Sequence, residues 1–570
     1  MTAAALEGRF GDPRDEDNPL GFAAVLRADE RGQMLPAGRA VLDAFGFNAH
    51  FVPTASGGRL RRADELALLL RPVFRRDAAL GLGHGVANLI ASATVWAAGE
   101  AEHQRLLADV LLSGGQARGV YGGPDTGHDL ARSRIRASEH GSVLRVDGRM
   151  DLVDDVAGAH YATVMARTGD EADARNRSLL LVDMTAIDRG TVRFLPRSRT
   201  AGLRGMRLGG AEFHGTHVPS STVVGVPGHA LETVSRATRL TGAVLTGATV
   251  GCLDTQLRTV TRFATSRPRY SGTVAELPHA RSLLTGAFAD LLACDSITTT
   301  VCRALHLLPH QTGGYAAALQ YLVPTMINEA VDDLAVVLGA RSFLREGEHA
   351  IFQKHRRDLP VVALAHAGPT ACVASMLPQL RRSAAGDWFR SVPAPAALFR
   401  PSDELPDLDL RRSPVAAGTD DPVLAVLVAL APELDGDPVL GPLCRMLLDD
   451  LRELRDRVLE LPPYDATSPA EPAAFALCER YAVILTASAC LGTWWHQRDS
   501  TDPFTRAPGW LAAALGRLTE RLGHAPFPGT RAAQDALLSE LRARTDQDRA
   551  LDLAECDPHP VHHLAEGATS

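Results

Sequence analysis

The hydrophobic period of the chain changes twice, and the order of those changes limits the fold more than any other feature. Over 62–112 the pattern is helical. Leu66, Leu69, Leu70 and Val73 recur at helix spacing, and Val86, Leu89, Ile90 and Ala93 repeat it in a second helix. Gly114-Gly115 stops this layer. Short strand-like runs follow. The run 143–146 leads into Asp147-Gly148, a turn signal between strands; 161–166, 179–182 and 192–195 are further strands, with Gly, Asp and Asn in their turns. From 231 to 380 the helical period returns, in segments at 244–257, 283–301, 315–338 and 371–380 that are long enough for an antiparallel bundle. The reading is an α+β chain: helices, then an all-β domain, then helices.

The expected divisions are a loosely held arm at 1–35, an N-terminal helical domain at 36–115, a middle β-barrel domain at 116–225, a helical bundle at 226–385, a Pro- and Asp-rich linker at 386–424 and an additional helical domain at 425–570. In the last of these, Leu443, Leu447, Leu451, Leu454, Val458 and Leu461 make one apolar stripe, expected to pack on the bundle. A length of 570 residues fits several domains rather than one core. A net charge of -8 gives no basic footprint for nucleic acid. Lys354 is the only lysine. The eight cysteines form no CxxC pair and sit mostly in apolar helical stretches, so buried free thiols in a reducing cytoplasm are expected. The N-terminus does not read as a signal peptide, and the longest apolar run, 423–431, is far short of a membrane span of roughly 20 residues.

Particular residues tie this order to a family. Tyr121-Gly-Gly-Pro-Asp-Thr-Gly-His-Asp129 resembles the Thr-Glu-Pro-x-x-Gly-Ser-Asp loop of the acyl-CoA dehydrogenase and acyl-CoA oxidase superfamily. Residues 148–168 resemble that family's segment from Gly-x-Lys-x-Trp-Ile-Thr-Asn to Ala-Arg-Thr, with Ala166-Arg167-Thr168 kept. Gly205-Met206-Arg207 is similar to the family's Gly-Met-Arg, and Val218-Pro219 and Val224-Gly225 follow in the expected places. Arg267 is similar to the arginine that reaches a cofactor diphosphate, and Arg357-Asp358 resembles the Arg-Asp before the catalytic segment. The length is nearer the larger, oxidase-like members with an added C-terminal domain.

The resemblance implies the acyl-CoA dehydrogenase fold, FAD as cofactor, and α,β-dehydrogenation of an acyl thioester carried by coenzyme A or a carrier protein. In that chemistry a base takes the α-proton while a hydride leaves the β-carbon for the flavin. The family base is a glutamate nine positions after the Arg of Arg-Asp. Here that place is His366, which can act as a base near neutral pH. Its bland reading is a polar residue at a helix start, marked by Gly368 and Pro369. The family's second place for a glutamate reads Ala237-Thr238-Arg239. On the flavin side the resemblance implies Gly122, Gly127, Leu152 and Asp154 along the cradle, Arg267 at the diphosphate, Gly339 in the turn after the bundle helix, and His128 toward the substrate. Leu152 and Asp154 stand where the family has the Trp and Thr that flank the isoalloxazine. A carboxylate there disfavours the anionic reduced flavin.

Backbone-shaping positions match the family pattern, whereas positions that would touch cofactor or substrate mostly differ. Two alternatives therefore stay open: a flavin-dependent monooxygenase on the same fold, and a flavin-free or non-catalytic relative. The role implied for Arg267 also implies a homodimer or dimer of dimers, because that arginine contacts a cofactor held mainly by a neighbouring subunit. Other conspicuous residues have plainer readings. His84 reads as capping or packing, and Glu346 and Glu348 as solvated surface. His559, His562 and His563 lack the paired-cysteine frame of a metal site, and Trp494-Trp495 is expected to pack between domains.

Overall fold

The computed structural model describes residues 2–121, 133–170, 175–363, 368–386, 388–389, 392–412, 414, 418–462 and 471–554. The N-terminal layer contains α1 (Ala3–Phe10), α2 (Phe22–Glu30), α3 (Pro36–Phe45), α4 (Ala63–Arg76), the short α5 (Ala78–Leu80), α6 (Ala87–Ala98) and α7 (Ala101–Leu112). Asp64 and Glu65 open α4, and Arg75 and Arg76 close it, matching the helix dipole at both ends. Between α5 and α6, Gly81–Val86 winds as a π-helical turn. Such turns widen a helix locally and are frequent at functional sites.

The first 35 residues are not a loose arm. Leu6 and Phe10 of α1 and Val25 of α2 are fully buried, and Glu7 is buried beside Arg75 of α4 at 3.1 Å. Charge and glycine content suggested a solvated segment, but the charges at Glu7 and Asp29 are spent on internal arginines.

The middle domain is β1 (Ala117–Val120), β2 (Arg136–His140), β3 (Val143–Asp154), β4 (Tyr161–Arg167), β5 (Arg177–Asp183), β6 (Val192–Leu195), β7 (Leu208–Pro219) and β8 (Val223–Val224). Their order across the sheet is β6-β7-β3-β2-β4-β5-β8, and β1 pairs parallel with β4. Asp147-Gly148 is not the hairpin turn that its sequence suggests. β3 runs straight through it, and the register against β7 shifts between Val146 and Gly148, a β-bulge. Gly148 sits at φ 124, and a Cβ there would stand 2.5 Å from the Arg134 carbonyl. The Asp147 side chain accepts the Gly215 N–H on the neighbouring strand at 2.7 Å. The reversal lies earlier, where His140 of β2 pairs with Val143 of β3.

The bundle is α8 (Ala230–Ser266), a small hairpin of β9 (Pro268–Arg269) and β10 (Gly272–Thr273), α9 (Pro278–Leu307), α10 (Thr312–Leu338), α11 (Ala350–Ala363) and α12 (Pro369–Ala385). Charge density and Pro360 hide α11 from a reading of apolar period. The extension adds α13 (Pro422–Leu430), α14 (Leu440–Glu460), α15 (Pro472–His496), α16 (Pro503–Arg506), α17 (Gly509–Arg521) and α18 (Arg531–Asp546). One apolar core runs from the N-terminal layer through the bundle into this extension, while the sheet encloses a second. The α14 stripe of Leu443, Leu447, Leu451, Leu454 and Val458 is fully buried in the first core.

The segment between bundle and extension is irregular but fastened. Arg303 of α9 bonds the carbonyls of Ala397, Pro401 and Asp403, and the Phe399 ring stacks on His496 of α15 at 5.5 Å. Two helical stretches, Ala78–Ala98 and Pro472–His496, are long and apolar enough to cross a membrane by length and composition, and both lie mostly buried within the protein.

Candidate active site

Three bundle helices meet around a small, partly open cleft. α8 contributes Leu245, Thr246 and Thr249; α10 contributes Gln320, Pro324, Ile327 and Asn328; α11 contributes Leu359, Val362 and Ala363. Pro324 lies inside α10 on the wall of the cleft and offers no N–H to the Gln320 carbonyl. Gln256 of α8 bonds the Phe352 carbonyl at 3.4 Å, which fixes how far α11 slides along α8. Ala363 closes the cleft at the end of α11, three residues before His366 in the chain.

A second constellation lies where the sheet meets the N-terminal layer. Arg118 of β1 is buried and reaches in several directions. It bonds the Asn88 amide oxygen at 2.8 Å, the carbonyls of Ala117 at 2.8 Å and Gly83 at 3.1 Å, and the Gln116 side chain at 3.0 Å. Gly83 belongs to the π-helical turn. Arg118 Nε stands 3.3 Å from Asp154 Oδ2 at the end of β3. Neither carboxylate oxygen of Asp154, nor Arg118 Nε, completes a hydrogen bond of good geometry. Burial pushes the Asp154 carboxyl above the usual carboxylate range, against the pull of the Arg118 charge and the Arg207 backbone N–H. Two residues before it, Leu152 takes a left-handed φ of 57 and is 39 % exposed, unusual for a leucine in a strand.

The residues singled out by sequence are distributed unevenly. His366, Gly122, Gly127 and His128 lie outside the described residues. Leu152 and Asp154 share the end of β3. Arg267 caps α8 and is exposed, and Gly339 ends α10 at φ 63. These two helix ends are tied together: the Arg341 guanidinium lies 5.3 Å over the Phe263 ring, and His349 packs edge-on against it. Arg239 is buried, where it donates to the Pro414 carbonyl at 2.8 Å; burial and then the Arg236 charge bring its pKa down to about 10. His84 is held by Asp43 at 2.8 Å, while Glu346 and Glu348 are exposed. Trp494 is buried and donates to the Arg506 carbonyl.

Arg357 and Asp358 act within the scaffold. Arg357 grips both oxygens of Asp29 at 2.7 Å, and Asp358 accepts the Leu203 N–H at 2.7 Å. Lys354 completes this hub, with Nζ 2.6 Å from Asp77 and 2.7 Å from Asp358. The sequence reading passed over Arg118 and the cleft residues. An arginine in a short strand of small residues was the one available signal for the first.

No family model matches the chain. Among curated proteins, a probable acyl-CoA dehydrogenase fadE25 from Mycobacterium leprae is 26% identical over 230 residues, which is 40% of this chain. The chain spans 58% of the length of that relative. Among solved structures, an acyl-CoA dehydrogenase from Geobacillus kaustophilus superposes with a TM-score of 0.59 at 17% identity, over 66% of this chain and 96% of that one. The chain has the acyl-CoA dehydrogenase fold. A structure described as a FAD-dependent dehydrogenase matches with a TM-score of 0.57 at 16% identity, over 63% of this chain and 96% of the other. The acyl-CoA dehydrogenase fold thus accounts for about two thirds of the chain.

Proposed function

We propose that this acyl-CoA dehydrogenase homologue is a FAD-dependent oxidoreductase that dehydrogenates an acyl thioester between its α and β carbons. The observation that carries this reading is the cleft between α8, α10 and α11, which is walled by Leu245, Ile327, Leu359 and Val362 and ends at Ala363, just before His366. The reaction asks for an apolar slot for the acyl chain and for a base, and the base is proposed as His366, three positions after the last lining residue in the sequence.

The residues present fit a flavin in two respects. The Asp154 oxygens and Arg118 Nε are buried and, though paired at 3.3 Å, complete no well-formed hydrogen bond, and a ring edge bearing N–H and C=O groups would supply one. Arg267 is an exposed cation at the end of α8, available to a diphosphate. Arg118, Asp154 and Leu152 would hold the ring side, with Gly122 and Gly127; Arg267 and Gly339 would serve the diphosphate side, across a homodimer contact. When bound, the flavin accepts the hydride from the β-carbon.

The rest falls to this chain's own groups. The apolar walls orient the acyl chain and exclude water. Neutral His366 takes the α-proton at a ring nitrogen, so the proton ends on imidazole as the carbon–carbon double bond forms. The deciding experiment is the absorption spectrum of the purified protein, followed by His366→Ala. Bound flavin with turnover abolished in the variant supports the reading. A colourless protein, or an Ala variant with undiminished turnover, removes it.

A further inference from the structure

We infer that Asp154 is a positioning residue for the redox step: it holds the reduction potential of the flavin low, with Arg118 as its fixed counter-charge. This rests on the reading above that the ring lies along the end of β3. The backbone there is shaped for an unusual arrangement. Where β3 pairs with β7, Asp151 faces Gly210 and Val153 faces Gly209, so Leu152 is the extra residue of a second bulge. The bulge accounts for its left-handed φ and leaves the leucine side chain outward. Two residues on, the Asp154 side chain is only 10 % exposed.

Asp154 is buried without being committed. Neither of its oxygens completes a well-formed hydrogen bond among the described residues. The charges that face it are Arg118 from β1, at 3.3 Å, and Asp155 and Arg207 from the turn beyond β3 and the start of β7. Arg207 lies 3.5 Å from Asp155, and His84 on the π-helical turn is taken by Asp43. The remaining surroundings are apolar: a Cβ on Gly83 would meet Met34 at 2.6 Å, Met206 at 3.2 Å and Asp154 Oδ2 at 3.7 Å. Arg118 cannot swing to follow a change of charge. Asn88, Ala117, Gly83 and Gln116 hold its guanidinium, and Asn88 is fixed in turn by Asn48 at 3.0 Å and the Ala117 N–H at 2.9 Å.

A charge in such a place acts without contact, because a dry surrounding screens it little and Coulomb energy falls only as the inverse of distance. Reduction brings two electrons and one proton into the flavin, so the ring gains one negative charge. Ionised Asp154 opposes that charge, and the rigid Arg118 frame does not rearrange to relieve it. Burial raises the Asp154 pKa, so the opposition is absent in acid and sets in as pH rises through the raised value.

The test uses the full-length protein loaded with FAD. Reduction potentials are titrated against a reference dye from roughly pH 5 to 9, a range that spans a raised carboxylate pKa. Wild type is compared with Asp154→Asn and Asp154→Ser, two neutral replacements of different shape. Both variants are expected to have the higher potential. The gap should be small in acid and grow with pH to about 30 mV, a tenfold change in the ratio of reduced to oxidised flavin for a two-electron couple. A role in packing alone would not produce a gap that opens with pH. Equal potentials at every pH, a gap of the opposite sign, or a gap shown by only one folded variant overturns the inference and leaves the flavin reading intact. Should one variant not fold, the other carries the comparison. Should neither fold, infrared difference spectra of the wild type decide: a carboxylic-acid band gained on reduction is expected, and its absence across the pH range overturns the inference. A wild type that takes up no FAD removes the flavin reading itself, and this inference with it.

Discussion

Arg71 of α4 reaches Asp552 at 2.8 Å, across 481 residues of sequence, and grips Asp295 of α9 with the other arm of its guanidinium. Arg75, one turn on, meets Glu7 and Asp254 and lies 3.6 Å from Asp552. The network is buried throughout and joins both ends of the described chain to one helix. The Leu553 N–H donates to Asp295 at 2.8 Å, and Arg258 bonds the Arg549 carbonyl, so the backbone after α18 is fixed as well. Asp552→Asn removes one carboxylate from a dry network in which Arg71 keeps Asp295 and Arg75 keeps Glu7 and Asp254, so the positive charge there is less fully balanced. We expect a loss of about 3–5 kcal/mol in urea unfolding, the usual cost of breaking a buried pair on one side. A variant within about 0.5 kcal/mol of wild type would show that the tail is dispensable to the fold.

Lys354 is the only primary amine on a side chain, and it is 1 % exposed. Burial opposes its charge, but Asp358 and Asp77 more than offset this and raise its pKa. An amine-reactive ester should therefore leave Lys354 unmodified in the folded protein and modify it only on unfolding. Mass spectrometry after a short pulse of reagent checks this directly. Native-state labelling of Lys354 at the rate of a free lysine would contradict the buried hub.

The order of layers was readable because hydrophobic period survives divergence: any sequence that fills a bundle must repeat apolar residues along each helix. Asp147-Gly148 misled because its two residues suit a bulge as well as a turn, and only the partner strand decides between them. The arm at 1–35 misled because acid and glycine content looks the same whether an acid faces water or, like Glu7, an internal arginine. The Arg357-Asp358 match was legible as a family trait but not as a hub, since Asp29 lies 328 residues away. The cleft was not legible at all. Its walls come from three helices, and nothing in the local pattern marks Thr246, Gln320 and Asn328 as neighbours.

Stability should fall in mild acid because of two buried histidines. Burial, reinforced by the Lys354 charge, pushes the His355 pKa down to about 3, and burial with Arg59 pushes His50 down to about 4. Both stay neutral in the folded state, while in the unfolded chain they take up protons below about 6.5. As pH falls through 6.5 the unfolded state binds more protons, so stability is lost progressively until the folded pKa values are reached. Each histidine contributes a slope of about 1.4 kcal/mol per pH unit within that window. Denaturant midpoints measured from pH 7 to 4 should show the decline, and His355→Gln should flatten it. A profile that is level down to pH 4.5 would be incompatible with two neutral buried imidazoles.

Arg118 and Asp154 should respond very unequally to mutation. Asp154→Asn keeps the size of the side chain and removes a charge that burial already disfavours. Arg118 retains its bonds to Asn88, Ala117, Gly83 and Gln116, so the loss at neutral pH should be within about 1 kcal/mol. Arg118→Leu instead strands a buried carboxylate and strips partners from Asn88 and the π-helical turn, and should cost about 3–5 kcal/mol. The pH dependence separates the charge effect from packing. The folded pKa of Asp154 is raised above 3.8, so the folded state holds the proton longer than the unfolded chain does. Between 3.8 and that raised value, wild-type stability falls as pH rises, and above it the penalty is complete. Asparagine has no such penalty. The stability of Asp154→Asn relative to wild type should therefore improve from acid to neutral pH, as read from urea midpoints of the two proteins side by side. A relative stability that worsens toward neutral pH would mean that the Arg118 pair stabilises the ionised carboxylate after all, and that Asp154 is a committed ion-pair partner rather than a site awaiting one.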